Sequence, residues 1–332
     1  LYFLYNSIFL YLKTNRMNLT TPVGIIKTNH CIDFSSRIIT IGSCFADTIG
    51  AKFKHYQFVV HPNPFGVIFN PKSIEKVLQR AVTSHYFTEQ DLVFHQDLWH
   101  SFDVHSDFSS TDKHLILNNL NEALRDFVVK LKAATHLYIT YGTSWVYVLK
   151  SNHEVVSNCH KFPQNQFEKR LLSVTEIETS IATTMELVQQ INPNCRLIFT
   201  VSPVRHIKDG FVENQRSKSH LIAAIHNCIS SPDAYFPSFE IMMDELRDYR
   251  FYASDMLHPS AQAIDYIWEK FIATSIEERL VPTLNEIDSI QKSLAHRAFN
   301  PNTANHQKFL QNLNDKIIQL QKKHPQIQFD LQ

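Results

Sequence analysis

Short apolar runs rich in β-branched residues alternate along this chain with segments whose apolar residues recur every three or four positions. The runs at residues 37–41, 136–141 and 196–201 are typical of strands buried on both faces of a sheet. Between the last two, Ser173 and Glu176 form a capping box that predicts a helix. The helix carries one apolar stripe, formed by Ile177, Ile181, Met185, Val188 and Ile191. Strands that alternate with helices predict an α/β fold with a mainly parallel sheet covered on both sides.

Three further helices are predicted around these strands. One begins at Cys44, just after the first strand ends, and another spans residues 219–229. The third follows His258, with Pro259 near its first turn, and has one apolar face. That face carries Ile264, Ile267, Trp268 and Phe271.

The chain changes character at about residue 276. Thr283 and Glu286 match a second capping box, which predicts a helix whose apolar face carries Leu284, Ile287, Ile290 and Leu294. Residues 300–302 read NPN and break the pattern, and a second amphipathic helix follows with Phe309, Leu313, Ile317 and Leu320. We interpret this region as a helical hairpin that packs on the main domain or on a partner chain, so it offers a route to an oligomer.

The amino-terminal segment is apolar but short. Residues 1–12 are too few to span a bilayer, which takes about 20 residues. The chain does not begin with Met, and Met17 precedes a more polar stretch. We interpret residues 1–16 as an extension from a misassigned gene start, the alternative being a short interfacial anchor. Residues 17–275 are then predicted to form the main domain and residues 276–332 a helical extension.

Composition excludes several classes of function. The 332 residues are 44% hydrophobic and 19% charged, which suits a globular protein. Lys plus Arg and Asp plus Glu both number 32, so no global charge favours nucleic acid or an anionic membrane as a partner. The five cysteines show no paired spacing, which favours reduced thiols and a cytoplasmic location.

A serine follows the first predicted strand. Ligands of open α/β sheets bind beyond the carboxyl ends of the strands, and Ser43 stands there, in front of a predicted helix. The start of that helix favours developing negative charge, and we expect the hydroxyl to be exposed. The other interpretation is that Ser43 is only the N-cap of the helix, the commonest function of serine at such a junction.

An acid and a base lie three residues apart near the end of the main domain. Asp255 and His258 stand on a predicted loop, where a carboxylate can hold the imidazole nitrogen that faces away from a nucleophile. With Ser43 they supply the hydroxyl, base and orienting acid of serine hydrolysis. The alternative is that Asp255 caps a turn and His258 is a surface residue.

Several short blocks together resemble the GSCFA family, a branch of the SGNH hydrolase superfamily. The resemblance covers roughly residues 20–275 and extends to the helical tail. The blocks occur in the family's order: GSCFA at 42–46, HPNPFG at 61–66, YGTS at 141–144, NCHK at 158–161 and SDMLHP at 254–259. The resemblance implies a three-layer α/β/α sandwich of the SGNH, flavodoxin-like kind, followed by the C-terminal helical hairpin.

The resemblance also implies a mechanism. Ser43 would be the nucleophile, His258 the general base and Asp255 its orienting acid, acting on an ester through an acyl-enzyme without metal or organic cofactor. The substrate would be a small-molecule or carbohydrate acyl ester. An O-acyltransferase would use the same residues, and a non-catalytic binding or scaffold protein would keep the fold alone.

The oxyanion hole is the part that departs from the superfamily's pattern. Superfamily members use the nucleophile's own N–H, a glycine N–H and an asparagine side chain. Gly66 is our choice for the glycine, but the block at 141–144 contains no asparagine. The third donor is left open among Thr143, Ser144, Asn63 and Asn158.

Other residues near the strand ends are candidates for the substrate cleft. Cys44, next to Ser43, is a rival nucleophile, although a free cysteine is more often inert. His95, His100 and His105 recur every five residues, which fits no regular metal-binding face, so no metal site is predicted. The predicted cleft residues are His105, Asn158, His160 and Arg205, with His206 beside them; a structural function is the alternative for each.

Overall fold

The computed structural model describes residues 20–296 and 303–329. The predicted extension at residues 1–16 and the break at 300–302 therefore lie outside the described residues. The strands are β1 (Arg37–Gly42), β2 (Val59–Pro62), β3 (Val93–His95), β4 (Leu98–His100), β5 (His136–Tyr141), β6 (Trp145–Leu149), β7 (Glu154–Val156), β8 (Phe167–Leu171) and β9 (Arg196–Val201). The longer helices are α1 (Cys44–His55), α2 (Pro71–Thr83), α3 (Lys113–Ala133), α4 (Val174–Ile191), α5 (Phe211–Cys228), α6 (Ala261–Ser275), α7 (Val281–Leu294) and α8 (Ala304–Lys323).

The central sheet is parallel and has the strand order β2-β1-β5-β9. Its three longest strands, β1, β5 and β9, are the three that the apolar runs predict. Because the strands are parallel, Ser43, Asn63, Gly142 and Ser202 follow their carboxyl ends at one edge of the sheet.

Helices cover both faces of the central sheet, so the predicted three-layer α/β/α sandwich is confirmed. On one face Ile39, Leu137 and Phe199 belong to a core that also contains residues of α2 to α5. On the other face Ile38 and Tyr138 pack in a core with residues of α1, α6, α7 and α8. Alternate residues of one strand thus enter opposite cores, as the pleat requires.

The helix that follows β8 begins as the capping box predicts. The Ser173 hydroxyl accepts a hydrogen bond from the Glu176 N–H, and the Glu176 carboxylate accepts one from the Ser173 N–H at 2.9 Å. Such a cap contributes about 1 kcal/mol to helix stability. The helix after His258 also forms, with Ser260 as its N-cap.

The C-terminal helices share a core with the sheet. Leu284 and Ile287 of α7 and Ile317 of α8 are buried in one cluster with Trp268 and Phe53. The predicted capping box at Thr283 and Glu286 is wrong, because α7 starts at Val281 and Pro282 occupies its first turn. Thr283 therefore lies inside the helix.

Two small antiparallel sheets stand beside the central one and were not predicted. β3 pairs with β4, and β6 pairs with both β7 and β8. Within the described ranges, no helix has both the length and the apolar character needed to cross a membrane.

Candidate functional site

Ser43 stands in a tight turn between β1 and α1. Gly42 before it has φ of +142°, and a Cβ there would lie 2.1 Å from the Thr140 carbonyl oxygen, so only glycine fits. The Ser43 N–H donates to the Thr140 oxygen at 3.0 Å. The Ser43 hydroxyl accepts a hydrogen bond from the Phe45 N–H at 3.2 Å, so Ser43 is the N-cap of α1. The expected exposed hydroxyl is wrong, because the residue is only 1% exposed.

The Asp255–His258 loop holds an acid and a base in contact. His258 Nδ1 lies 2.6 Å from Asp255 Oδ2, and the two side chains are nearly half exposed. The other carboxylate oxygen accepts from the N–H groups of Leu257 and His258 at 2.9 and 3.0 Å. These hydrogen bonds lower the pKa of Asp255 to about 2, so the carboxylate is ionised and holds the His258 ring through Nδ1.

Arg205 holds this loop in place. Its N–H donates to the Leu257 carbonyl at 3.1 Å, and its guanidinium donates to the Met256 carbonyl at 3.2 Å. Met256 has φ of +58°, an unfavourable conformation for its side chain, and the guanidinium bonds that peptide directly. Arg205, which we predicted to line the cleft, therefore positions the Asp255–His258 pair.

His258 and the first turn of α1 line one cleft of about 290 Å³. Cys44, Phe45 and Thr48 line it from the helix, whereas the buried Ser43 is not among its lining residues. No hydrogen bond between the described residues joins Ser43 to His258. Cys44 is the more accessible of the two nucleophile candidates, yet burial raises the pKa of its thiol and disfavours the reactive thiolate.

The predicted oxyanion donors on the β2 side are already bonded. Asn63 Oδ1 accepts from the Gly42 N–H at 2.7 Å, and Asn63 Nδ2 donates to Asp47 Oδ1 at 2.7 Å. The Gly66 N–H donates to the Asn63 carbonyl at 2.8 Å. The assignment of Asn63 and Gly66 as oxyanion donors is therefore corrected. In this structure their N–H groups are engaged in the turn beside Ser43.

The residues after β5 are bonded to α5 in the same way. The Thr143 and Ser217 hydroxyls lie 2.8 Å apart, and the Ser144 N–H donates to the Ser217 hydroxyl at 2.8 Å. The Ser144 hydroxyl donates to the Ser217 carbonyl at 3.0 Å. Thr143 and Ser144 thus anchor α5 to the end of β5 through their hydrogen bonds with Ser217.

Two family models match this chain. A model of the GSCFA family matches residues 37–271, and a model described as the C-terminal domain of GSCFA domain proteins matches residues 287–332. This chain belongs to the GSCFA family. No curated protein matches it. The family name spells residues 42–46, the turn around Ser43.

Two of the predicted cleft residues of this GSCFA chain are structural. His160 is buried and its Nε2 lies 2.8 Å from the Ser101 carbonyl; burial lowers its pKa to about 4. Asn158 donates to the Ser106 hydroxyl at 3.1 Å. They hold the loop of His105, whose Nδ1 lies 3.0 Å from Asp107 Oδ2. His105 packs against Gly66, which belongs to the turn beside Ser43. The NCHK block therefore supports that turn indirectly, through the loop of His105.

The recurring histidines of the GSCFA chain do not converge either. His100 Nδ1 bonds the Ser109 hydroxyl at 2.6 Å, and its Nε2 lies 3.1 Å from the His95 carbonyl. Across residues 20–296 and 303–329, no group of three or more metal-ligating side chains is arranged to hold an ion.

Lys218 is a site residue that the sequence analysis missed. It is 1% exposed, and its Nζ donates to the carbonyls of Gly142 and Ser202 at 2.6 and 2.7 Å. No carboxylate of the described residues pairs with it, and burial lowers its pKa to about 7. The pattern held a signal, because Lys218 shares the buried face of α5 with Leu221 and Ile225, but the predicted helix began one residue too late to include it.

Proposed function

We propose that this GSCFA protein is an SGNH-type serine hydrolase that cleaves ester bonds through Ser43, Asp255 and His258. The observation that carries the proposal is the Asp255–His258 pair, bonded at 2.6 Å, whose His258 lines the cleft at the start of α1. A fixed, ionised carboxylate behind an imidazole is the arrangement that activates a serine hydroxyl.

The chemistry requires one movement at Ser43. Its hydroxyl must turn from the Phe45 N–H towards His258, which costs the cap about 1 kcal/mol. His258 then takes the hydroxyl proton at Nε2 while the oxygen attacks the ester carbonyl, and it returns the proton to the leaving alcohol. Water, activated by the same imidazole, releases the acid from the acyl-enzyme.

Hydrolysis of p-nitrophenyl acetate tests this assignment. We expect Ser43→Ala and His258→Gln each to lower kcat by at least a thousandfold, and Asp255→Asn by a similar factor, because the triad acts as a unit. His114→Gln, at an exposed histidine on α3, is the matched control and should leave the rate unchanged. Equal rates for the wild type and Ser43→Ala would refute the proposal.

Acyl transfer and hydrolysis differ in the acceptor that takes the acyl group from Ser43, so an added alcohol distinguishes them. The acyl-enzyme of an O-acyltransferase would discharge to an added sugar alcohol, and the acylated sugar would form at the expense of acetate. The proposed substrate class is a small-molecule or carbohydrate acyl ester, on superfamily analogy. Five free thiols favour a reducing compartment, so the proposal includes a cytoplasmic location.

A second candidate is a non-catalytic binding protein with this fold. The burial of Ser43 and its capped hydroxyl favour it, as does the engagement of Asn63, Gly66, Thr143 and Ser144 in other hydrogen bonds. A folded wild type that hydrolyses no ester and reacts with no serine-directed reagent would establish this alternative.

A further inference from the structure

One polar atom beside Ser43 has no hydrogen-bond partner. His206 Nε2 is buried, and no group of the described residues bonds it. Its neighbours are defined by Gly142: a Cβ on that glycine would lie 3.1 Å from His206 Nε2, 3.4 Å from Ser43 Cβ and 2.9 Å from Phe69 Cβ. The imidazole nitrogen and the Ser43 side chain thus both lie within 3.4 Å of the point where a side chain at residue 142 would begin, so they are close neighbours across Gly142.

A buried nitrogen without a partner costs about 1–3 kcal/mol. Native structures rarely leave such a group without a partner, so the His206 nitrogen calls for an explanation. The backbone N–H of His206 is held by Asn214 Oδ1 at 2.9 Å, and the ring packs near Phe69, so the position of the imidazole is fixed.

The charges around this space favour negative charge within it. Lys218 Nζ donates to the Gly142 carbonyl, and its ammonium form, which is present below about pH 7, adds positive charge there. The amino-terminal end of α1, whose N-cap is Ser43, adds partial positive charge in the same region. Burial, then Lys218, then His258 lower the pKa of His206 to about 3, so its imidazole is neutral. A neutral imidazole carries one N–H and can donate it without bringing a second buried charge.

We propose that His206 donates its Nε2–H to the oxyanion that forms when Ser43 attacks an ester, supplying the donor that the YGTS block lacks. This inference rests on the proposed function. The Ser43 oxygen bonds the carbonyl carbon, its proton passes to His258, and the carbonyl π pair moves onto the oxygen that accepts from His206. When that pair returns, the alkoxide leaves and takes the proton from His258.

Three variants test the proposal in esterase kinetics and in the rate of reaction with a fluorophosphonate. His206→Ala should lower kcat by about a hundredfold with KM nearly unchanged, because an oxyanion donor acts in the transition state. His206→Gln, whose amide N–H reaches the same place, should recover at least tenfold. His136→Gln is the control, since His136 is a buried histidine that lies at the other end of β5.

Stability and NMR readouts separate this function from a structural one. His206→Gln keeps most of the side-chain volume and an N–H donor, so its thermal unfolding midpoint should stay near that of the wild type. In ¹⁵N-histidine-labelled protein, one Nε2–H resonance should move downfield on phosphonylation, and it should be absent from His206→Ala.

The outcomes are distinct. A reactive wild type together with an equally reactive His206→Ala, or a His206→Ala variant whose kcat and midpoint fall together without rescue by glutamine, would overturn this inference alone. A folded wild type that neither hydrolyses ester nor reacts with the fluorophosphonate would overturn the proposed function and this inference with it.

Discussion

Replacing Lys218 with methionine tests whether a cation without a counter-charge is buried under the candidate site. The Nζ atom bonds the carbonyls of Gly142 and Ser202, and no carboxylate of the described chain pairs with it. Methionine has a similar shape but neither charge nor N–H. A neutral lysine amine keeps two N–H groups, enough for both carbonyls, so loss of the proton need not break either bond.

The magnitude follows from the shift in pKa. Burial lowers the pKa of Lys218 from its ordinary value of 10.5 to about 7. Between these values the unfolded chain binds the proton and the folded protein does not, so the free energy of unfolding rises with pH. Burying the proton-bearing Lys218 destabilises the folded protein most, by about 5 kcal/mol, below pH 7, and this cost disappears as the pH approaches 10.5. From about pH 7 to about pH 9 the wild type should gain about 2 kcal/mol relative to Lys218→Met.

Urea unfolding of the wild type and of Lys218→Met at several pH values in this range measures the difference. The test uses the change with pH of the difference in unfolding free energy between the two proteins. In Lys218→Met the two carbonyls lose their donor at every pH, so this constant cost does not affect that change. Lys316→Met, at an exposed lysine of α8, is the control and should show no slope relative to the wild type. The burial of a cation would be refuted if the free energy of unfolding of the wild type, relative to that of Lys218→Met, stayed constant or fell as the pH rose.

Three other substitutions probe the turn, the loop and the tail. Asn63→Ala should lower the free energy of unfolding in urea by about 1–3 kcal/mol, because the buried Gly42 N–H loses its acceptor; an unchanged value would contradict this. Arg205→Ala should slow fluorophosphonate labelling about tenfold to a hundredfold by releasing the Asp255–His258 loop, while circular dichroism stays unchanged; labelling at the wild-type rate would contradict it. Ile317→Ala, at a residue 3% exposed, should cost about 2–5 kcal/mol in a single unfolding transition, whereas Ile318→Ala, at a neighbour 42% exposed, should cost under about 0.5; equal effects would contradict the shared core.

The sheet and most helices were predictable because their patterns are local. Residues 136–141 are buried at every position, and no other element of that length explains such a run. The capping box at Ser173 needs only four residues to identify, and it forms as predicted. The same pattern failed at Thr283, because Pro282 and the preceding turn start the helix earlier.

The small antiparallel sheets were harder to predict because their strands are short and partly exposed. β8, for example, exposes Glu168 and Lys169 in its middle, so no apolar run marks it. Its pairing with β6 depends on contacts between segments that are separated along the chain, which a sequence pattern does not contain.

The site was predictable in its acid and base but not in its donors. Asp255 and His258 are three residues apart, so the loop alone brings them together. The partners of Thr143 and Lys218 come from other elements, and only the fold shows that the first is engaged and the second is buried. Polar residues on the apolar face of α5 were the available clue.

Intact-mass analysis after treatment with a fluorophosphonate shows whether Ser43 is an activated nucleophile. We predict one adduct on the wild type, located by peptide mapping at Ser43, absent from Ser43→Ala and retained in Cys44→Ala. An adduct that survives Ser43→Ala, or a folded wild type that gains no mass, would contradict an activated Ser43.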